Sequence, residues 1–176
     1  PVQRDGALLD SVQAQDAAGN SSSTTTFSWT VDTTPPPQPV ITSTPANPSN
    51  QTTASFSFSD TQAGVSFLCQ LDTSAFSACS SPKSYSSLSQ GTHTFSVKAQ
   101  DAAGNQSSPA TFSWSIDTTA PPKPVITSGP PNTTSQTSAT FSFTDAQAGV
   151  AFLCQLDNSP FVVCTSPASY AGPLTT

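Results

Sequence analysis

Four cysteines stand in two pairs of identical spacing, Cys69 with Cys79 and Cys154 with Cys164. Thiols placed in this way form disulfides, ligate a metal, or stay reduced and buried. Zinc takes about four ligands, and with His93 the single histidine of the chain, two thiols and one imidazole do not complete such a shell. Between Cys69 and Cys79 runs Leu71-Asp72-Thr73-Ser74-Ala75-Phe76, a hairpin signal whose reflection about Ser74 sets the two sulfurs opposite one another on adjacent strands. A cross-strand disulfide within each pair is the expectation, with free buried thiols as the alternative. Closing so small a loop stabilises a thin domain by roughly 2–3 kcal/mol in chain-entropy terms, and it implies an oxidising compartment.

The acidic residues are the second set able to do chemistry. Every one is Asp, and Asp16/Asp101, Asp32/Asp117, Asp60/Asp145 and Asp72/Asp157 fall in matched pairs at the ends of expected strands. Calcium collects about six to eight oxygens, and these positions are dispersed, with no Glu and no dense acidic run to supply them. Turn chemistry is the stronger reading: Asp and Asn close Asx turns, and Gly in Asp-Ala-Ala-Gly-Asn takes a positive φ. No cofactor and no folding metal is expected. His93 has Leu8 at its counterpart position, and no Ser, Cys or acidic pair forms a nucleophile or acid–base motif. The expectation is a structural or binding module and not an enzyme.

Those matched pairs belong to a repeat that runs the length of the chain. Gln15-Asp16-Ala17-Ala18-Gly19-Asn20 returns letter for letter as Gln100-Asp101-Ala102-Ala103-Gly104-Asn105, an offset of 85 residues (16 to 101). Phe27-Ser28-Trp29 returns as Phe112-Ser113-Trp114, and Cys69-Gln70-Leu71-Asp72 as Cys154-Gln155-Leu156-Asp157, with no insertion in between. A fixed long period marks a repeated structural unit, so the array is what function has to explain. The repeat has a phase: residues 36–120 make one complete unit, residues 1–35 match the end of a unit, and residues 121–176 match the beginning of one.

Composition narrows the partners. The net charge is −6 with four basic residues, Arg4, Lys83, Lys98 and Lys123, so there is no basic stripe to neutralise phosphates and nucleic acid is not an expected partner. No apolar run reaches the length of a membrane span, and membrane insertion is not expected. The matches Asn20-Ser21-Ser22, Asn50-Gln51-Thr52, Asn105-Gln106-Ser107 and Asn132-Thr133-Thr134 fit the N-glycosylation acceptor pattern in expected turns, while Pro48 excludes Asn47. In a Ser/Thr/Asn-rich chain such matches also arise by chance.

The element reading is almost wholly strand. Ser55-Phe56-Ser57-Phe58-Ser59 alternates strictly; Val65, Phe67, Cys69 and Leu71 share one face; Phe95, Val97 and Ala99 alternate with Ser96 and Lys98; Phe112, Trp114 and Ile116 form another inward row. Within one unit this predicts strands near 39–44, 53–60, 65–72, 75–81, 84–88, 92–101 and 110–117, the first edge-like between prolines. Seven short strands separated by turn residues indicate an all-β fold, a seven-stranded immunoglobulin-like or fibronectin III-like sandwich.

The run from Phe67-Leu68-Cys69-Gln70-Leu71-Asp72 through Phe76, Cys79, Ser81-Pro82, Tyr85 and Leu88 to Gly91-Thr92-His93-Thr94-Phe95-Ser96-Val97, Asp101-Ala102-Ala103-Gly104-Asn105, Trp114 and Asp117-Thr118-Thr119-Ala120-Pro121 resembles the bacterial-type immunoglobulin-like tandem repeats of large secreted or surface proteins. The resemblance implies an extracellular or cell-surface setting, with cell-surface or glycan contacts open to the array, and no single activity. It also leaves calcium between domains as the alternative role of the strand-end Asp residues. The match departs at the first strand, where Asp10 stands at the position of Phe95 and Leu8-Leu9 replace His93-Thr94, so fraying, a register shift or a different neighbour is expected there.

Between units lie Asp32-Thr33-Thr34-Pro35-Pro36-Pro37-Gln38-Pro39 and Asp117-Thr118-Thr119-Ala120-Pro121-Pro122-Lys123-Pro124, which predict short stiff spacers in an extended path. The two end segments suggest more. Residues 121–176 supply five strands whose Phe141, Phe143, Val150 and Phe152 lack facing strands, and residues 1–35 supply the last two strands, with Val12, Ala14, Phe27, Trp29 and Val31 inward. The expectation is a homopolymer: head-to-tail strand complementation building an extracellular filament or appendage. The alternative is a spacer, stalk or ligand-binding repeat of a large cell-surface adhesin.

Overall fold

The structure is a computed structural model and describes residues 6–171. Arg4 and Thr176 lie outside the described residues. Every regular element in the described part is a strand, and all named pairings are antiparallel. The chain divides into two compact units, Pro1–Thr118 and Thr119–Thr176.

The first unit opens with a hairpin, β1 (Gly6–Val12) and β2 (Thr25–Val31). Seven strands follow: β3 (Val40–Ser43), β4 (Ala54–Ser59), β5 (Ser66–Leu71), β6 (Ser77–Cys79), β7 (Lys83–Tyr85), β8 (Gly91–Gln100) and β9 (Ala110–Ile116). They form a three-stranded sheet ordered β3-β4-β7 and a four-stranded sheet ordered β6-β5-β8-β9. Period-two alternation gives each sheet one apolar face, and the two faces meet over a single core. Phe56 and Phe58 come from one sheet, and Cys69, Phe95, Val97, Trp114 and Ile116 from the other. Phe56 sits at its centre, stacked on Phe95 with ring centroids 4.1 Å apart and edge-on to Trp114 at 5.1 Å. Such aromatic pairs add about 0.5–1.5 kcal/mol beyond the area they bury.

Two features hold this layer pair together at its ends. Asn47 bridges onto β9, its side-chain oxygen accepting from Ser115 N at 3.1 Å, and Ser49 continues the contact as a parallel bridge to Ile116. In the segment before β3, Pro36 and Pro39 are buried, the Gln38 amide donates to Pro109 O at 2.7 Å, and the Asn105 amide donates to Asp32 O at 3.0 Å. The proline spacer of the first unit is thus anchored along its length.

The second unit repeats the first five of those strands as β10 (Val125–Ser128), β11 (Ala139–Thr144), β12 (Phe152–Cys154), β13 (Val162–Cys164) and β14 (Ala168–Tyr170). Its sheets are ordered β10-β11-β14 and β12-β13. Pairing is conserved in detail: a register irregularity at Ile41/Ser43 recurs at Ile126/Ser128, and the Ser81 hydroxyl that accepts from Phe58 N is matched by Ser166 accepting from Phe143 N.

Candidate functional site

Both expected disulfides are present, Cys69–Cys79 and Cys154–Cys164, each with Cα atoms 5.8 Å apart, and no described cysteine is free. The register corrects the reflection about Ser74. Cys69 lies opposite Ser77 and Phe67 opposite Cys79, so the bridge runs diagonally across β5 and β6. The turn closes one residue earlier than the symmetric reading, because Asp72 adopts φ 53° and Ser74 N bonds back to Leu71 O. Cys69 faces the core while Cys79 is half-buried at the sheet edge, so the bond fixes the edge strand β6 to the core strand β5.

Five of the Asp residues, Asp16, Asp32, Asp60, Asp101 and Asp145, serve turns. Asp16 Oδ1 accepts from Ala18 N at 3.0 Å and Asn20 N at 2.9 Å, and Asp101 Oδ1 accepts from Asn105 N at 2.9 Å. Asn20 and Asn105 donate their amides to the second oxygens, and these side-chain bonds are the first cause holding both carboxyls below their usual range. Gly19 and Gly104 complete the loops at φ 90° and 94°, a region that disfavours any side chain. Asp32, Asp60 and Asp145 each accept from the backbone N–H two residues on. Among the described residues no three His, Cys, Asp or Glu side chains converge to hold a metal. Of the acceptor-pattern asparagines, Asn20, Asn50 and Asn132 are exposed, and Asn105, whose amide also reaches Asp32 O, is half-buried.

One pair escaped sequence reasoning. His93, buried on β8, places Nδ1 2.8 Å from Asp72 Oδ2 and Nε2 2.9 Å from Ser89 O, and it packs beside Trp114 at 5.5 Å. Both ring nitrogens face acceptors, so the imidazolium satisfies both at once. The Asp72 hydrogen bond is the main cause that raises His93 above the ordinary histidine value, followed by Ser89 O. Burial alone would push Asp72 up, but the bonds from His93 and Thr94 N outweigh it and hold that carboxyl low. The pair could not be anticipated because the two residues lie 21 apart, Asp72 in the turn after β5 and His93 on β8, and only the backbone of Asp72 at positive φ turns its carboxylate back towards β8.

The hairpin exposes apolar side chains, and the second unit leaves an apolar groove open. β1 and β2 pair in the register of β8 and β9: Gly6 faces Val31 as Gly91 faces Ile116, Leu8 faces Trp29 as His93 faces Trp114, and Asp10 faces Phe27 as Phe95 faces Phe112. Of the fraying, register shift or different neighbour expected there, a register shift is not seen, since Leu8, Leu9 and Asp10 leave the backbone ladder intact. The packing differs sharply. Trp114 is 1 % exposed in the core, whereas Trp29 is 42 % exposed and Phe27 69 %. Val12 and Ala14 are exposed as well, although their counterparts Val97 and Ala99 are fully buried, and Val31 is half-buried.

In the second unit the apolar faces of β10, β11, β12 and β14 enclose a groove of about 550 Å³ lined by Ile126, Phe141, Phe143, Phe152, Leu156 and Tyr170 among others. Phe141, Val150 and Phe152 are half-buried. Phe143 departs from expectation and is buried at 8 % exposure, because the Phe152 ring packs edge-on against it at 4.8 Å. In the complete unit the counterparts Phe56, Phe58 and Tyr85 all contact Phe95 of β8, and Phe56 also contacts Phe112 and Trp114 of β9. The groove thus presents the surface that a β8–β9 hairpin covers in the complete unit.

No protein-family model and no curated protein matches the sequence. Solved structures do: the chain is similar to a PKD domain of an M14-like peptidase from a Thermoplasmatales archaeon, at 20 % identity and TM-score 0.39, over 47 % of this chain and 96 % of that one. It is also similar to a tetra-tandem repeat in the extending region of a large adhesion protein, at 21 % identity and TM-score 0.35, over 94 % of this chain and 47 %, about half, of that one.

Proposed function

We propose that this chain is a structural subunit of an extracellular filament or appendage, in which the β1–β2 hairpin of one copy completes the groove of the second unit in the next. In this reading residues 1–35 are the last two strands of an immunoglobulin-like sandwich, residues 36–120 a complete seven-stranded sandwich, and residues 121–176 the first five strands of another. The observation that carries it is the internal template: the hairpin has the register of β8–β9, and the groove has the residues on which β8–β9 pack. A hairpin-to-groove contact between two different faces is heterologous, and one that does not close propagates. Covering Val12, Phe27, Trp29 and Val31 at about 1.5–3 kcal/mol each gives a gross term on the order of 10 kcal/mol. That is comparable to the cost of association, so details of fit decide the affinity. Two disulfides agree with an extracellular setting.

Sedimentation velocity tests the reading. The full chain should sediment as a concentration-dependent series of oligomers, and deletion of residues 1–31 should leave a folded protein that stays monomeric. Oligomers of unchanged size after the deletion would refute complementation through these strands. The unbroken 85-residue register and the anchored proline segment also fit a second reading, a stalk repeat of a large surface adhesin in which the same joint forms along one polypeptide. A strictly monomeric chain whose hairpin binds no groove in trans favours that reading.

A further inference from the structure

We infer that Asp10 makes the joint between copies acid-dependent, an inference that rests on the complementation proposed above. Asp10 occupies the phase of Phe95 and faces Phe27 in the same register in which Phe95 faces Phe112. Phe95 has no solvent exposure, and its ring meets those of Phe56, Phe58 and Tyr85. In the hairpin Asp10 is exposed. Docking in the template register carries its carboxyl against Phe141, Phe143 and Tyr170, an almost wholly apolar surround. A charged carboxylate buried there loses its hydration and gains no partner, so the protonated acid is the form that docks.

The ionisable neighbours do not reverse this sign. On β1 and β2 no other titratable side chain flanks Asp10. From the groove side, Tyr170 offers a phenol and no partner charge. Asp157, in the turn after β12, stands where Asp72 accepts from Thr94 N, so it would approach Leu9 N and add a like charge near Asp10. Lys123 lines the groove. Its counterpart Gln38, however, reaches Pro109 O, just before Ala110, which pairs with Val97 rather than with Phe95. That direction leads the lysine toward Thr24 and away from Asp10. The His93 that partners Asp72 is Leu8 in the hairpin, so no imidazolium offsets Asp157 in the joint.

The test follows joint formation by the full chain from pH 7.5 down to pH 4.5 by sedimentation velocity, beside the Asp10→Phe and Asp10→Asn variants. Uptake of one proton on docking predicts an association constant for the wild type that rises by up to about tenfold for each pH unit lowered. Both variants should assemble with little dependence on pH over this range, and Asp10→Phe should assemble at pH 7.5 at concentrations where the wild type stays monomeric. Equal pH slopes in all three proteins would overturn the role of Asp10 while leaving the joint standing. Weaker wild-type assembly at low pH would also overturn it, by showing that Lys123 holds the carboxylate. Absence of oligomers in all three proteins at every pH would remove the joint itself.

Discussion

Phe56 and Phe95 stack with centroids 4.1 Å apart and ring planes within 12°, and this contact joins the two sheets of the complete unit at their most buried point. Both rings are fully buried. Replacing Phe95 by Asp transplants into the complete unit the residue that the hairpin carries at that phase. It removes the stack and buries a carboxylate, and a large-to-small change at such a site costs about 3–5 kcal/mol before the charge is counted. Denaturant unfolding of Phe95→Asp should show a strongly lowered midpoint, or no folded central unit at neutral pH. A midpoint within error of the wild type would mean that this position is not the keystone of the core.

The disulfides should matter to stability more than to the shape of the strands. Each closes a ten-residue separation, and reduction should lower unfolding stability by roughly 2–3 kcal/mol per bridge in the chain-entropy account. Chemical denaturation with and without reductant measures this. A reduced protein with an unchanged midpoint would show that the Phe56 core alone carries the fold.

The Asp72–His93 pair predicts a stability profile with two limbs. His93 is raised in the folded state, so its contribution is complete below the unfolded histidine value of about 6.5 and is lost as pH rises through the folded value. Asp72 is lowered, so its contribution is present above about pH 4 and is lost as pH falls through its folded value. Thermal melting of the wild type should therefore decline from mildly acidic toward alkaline pH, and His93→Gln should flatten that decline. Since Asp72 is 40 % exposed, the loss in the variant should be about 1–2 kcal/mol, below the range for a buried ion pair. A wild-type melt that strengthens steadily from pH 6 to pH 9 would contradict the assignment of the imidazolium.

Much of this architecture is legible in the sequence because period-two rows such as Phe56/Phe58 and Phe95/Val97/Ala99 admit one pairing face only. The 85-residue repeat then carries each assignment from unit to unit. The strand-end carboxylates were also readable as turns, since Asp followed closely by Gly-Asn has local backbone donors to satisfy. What stayed hidden depends on non-local geometry. The diagonal course of the disulfide follows from the positive φ of Asp72, and the burial of Phe143 follows from the way Phe152 folds over it. The His93 pair needed the β5–β6 turn brought against β8. The exposure of Trp29 against the burial of Trp114, each closing the same Thr-Phe-Ser-Trp run, is likewise a fact of tertiary context.

In the proposed joint the hairpin of one copy pairs with β12 of another in the β5–β8 register. In the complete unit Leu68 faces Lys98, and the counterparts are Leu153 and Gln13. The most direct measurement mixes two single variants, Gln13→Cys and Leu153→Cys, under mild oxidation and separates the products on a non-reducing gel, with mass mapping of the linked peptides. The account predicts a 13–153 heterodimer well in excess of either homodimer. Homodimers alone, or no cross-link at concentrations where the wild type sediments as oligomers, would contradict it.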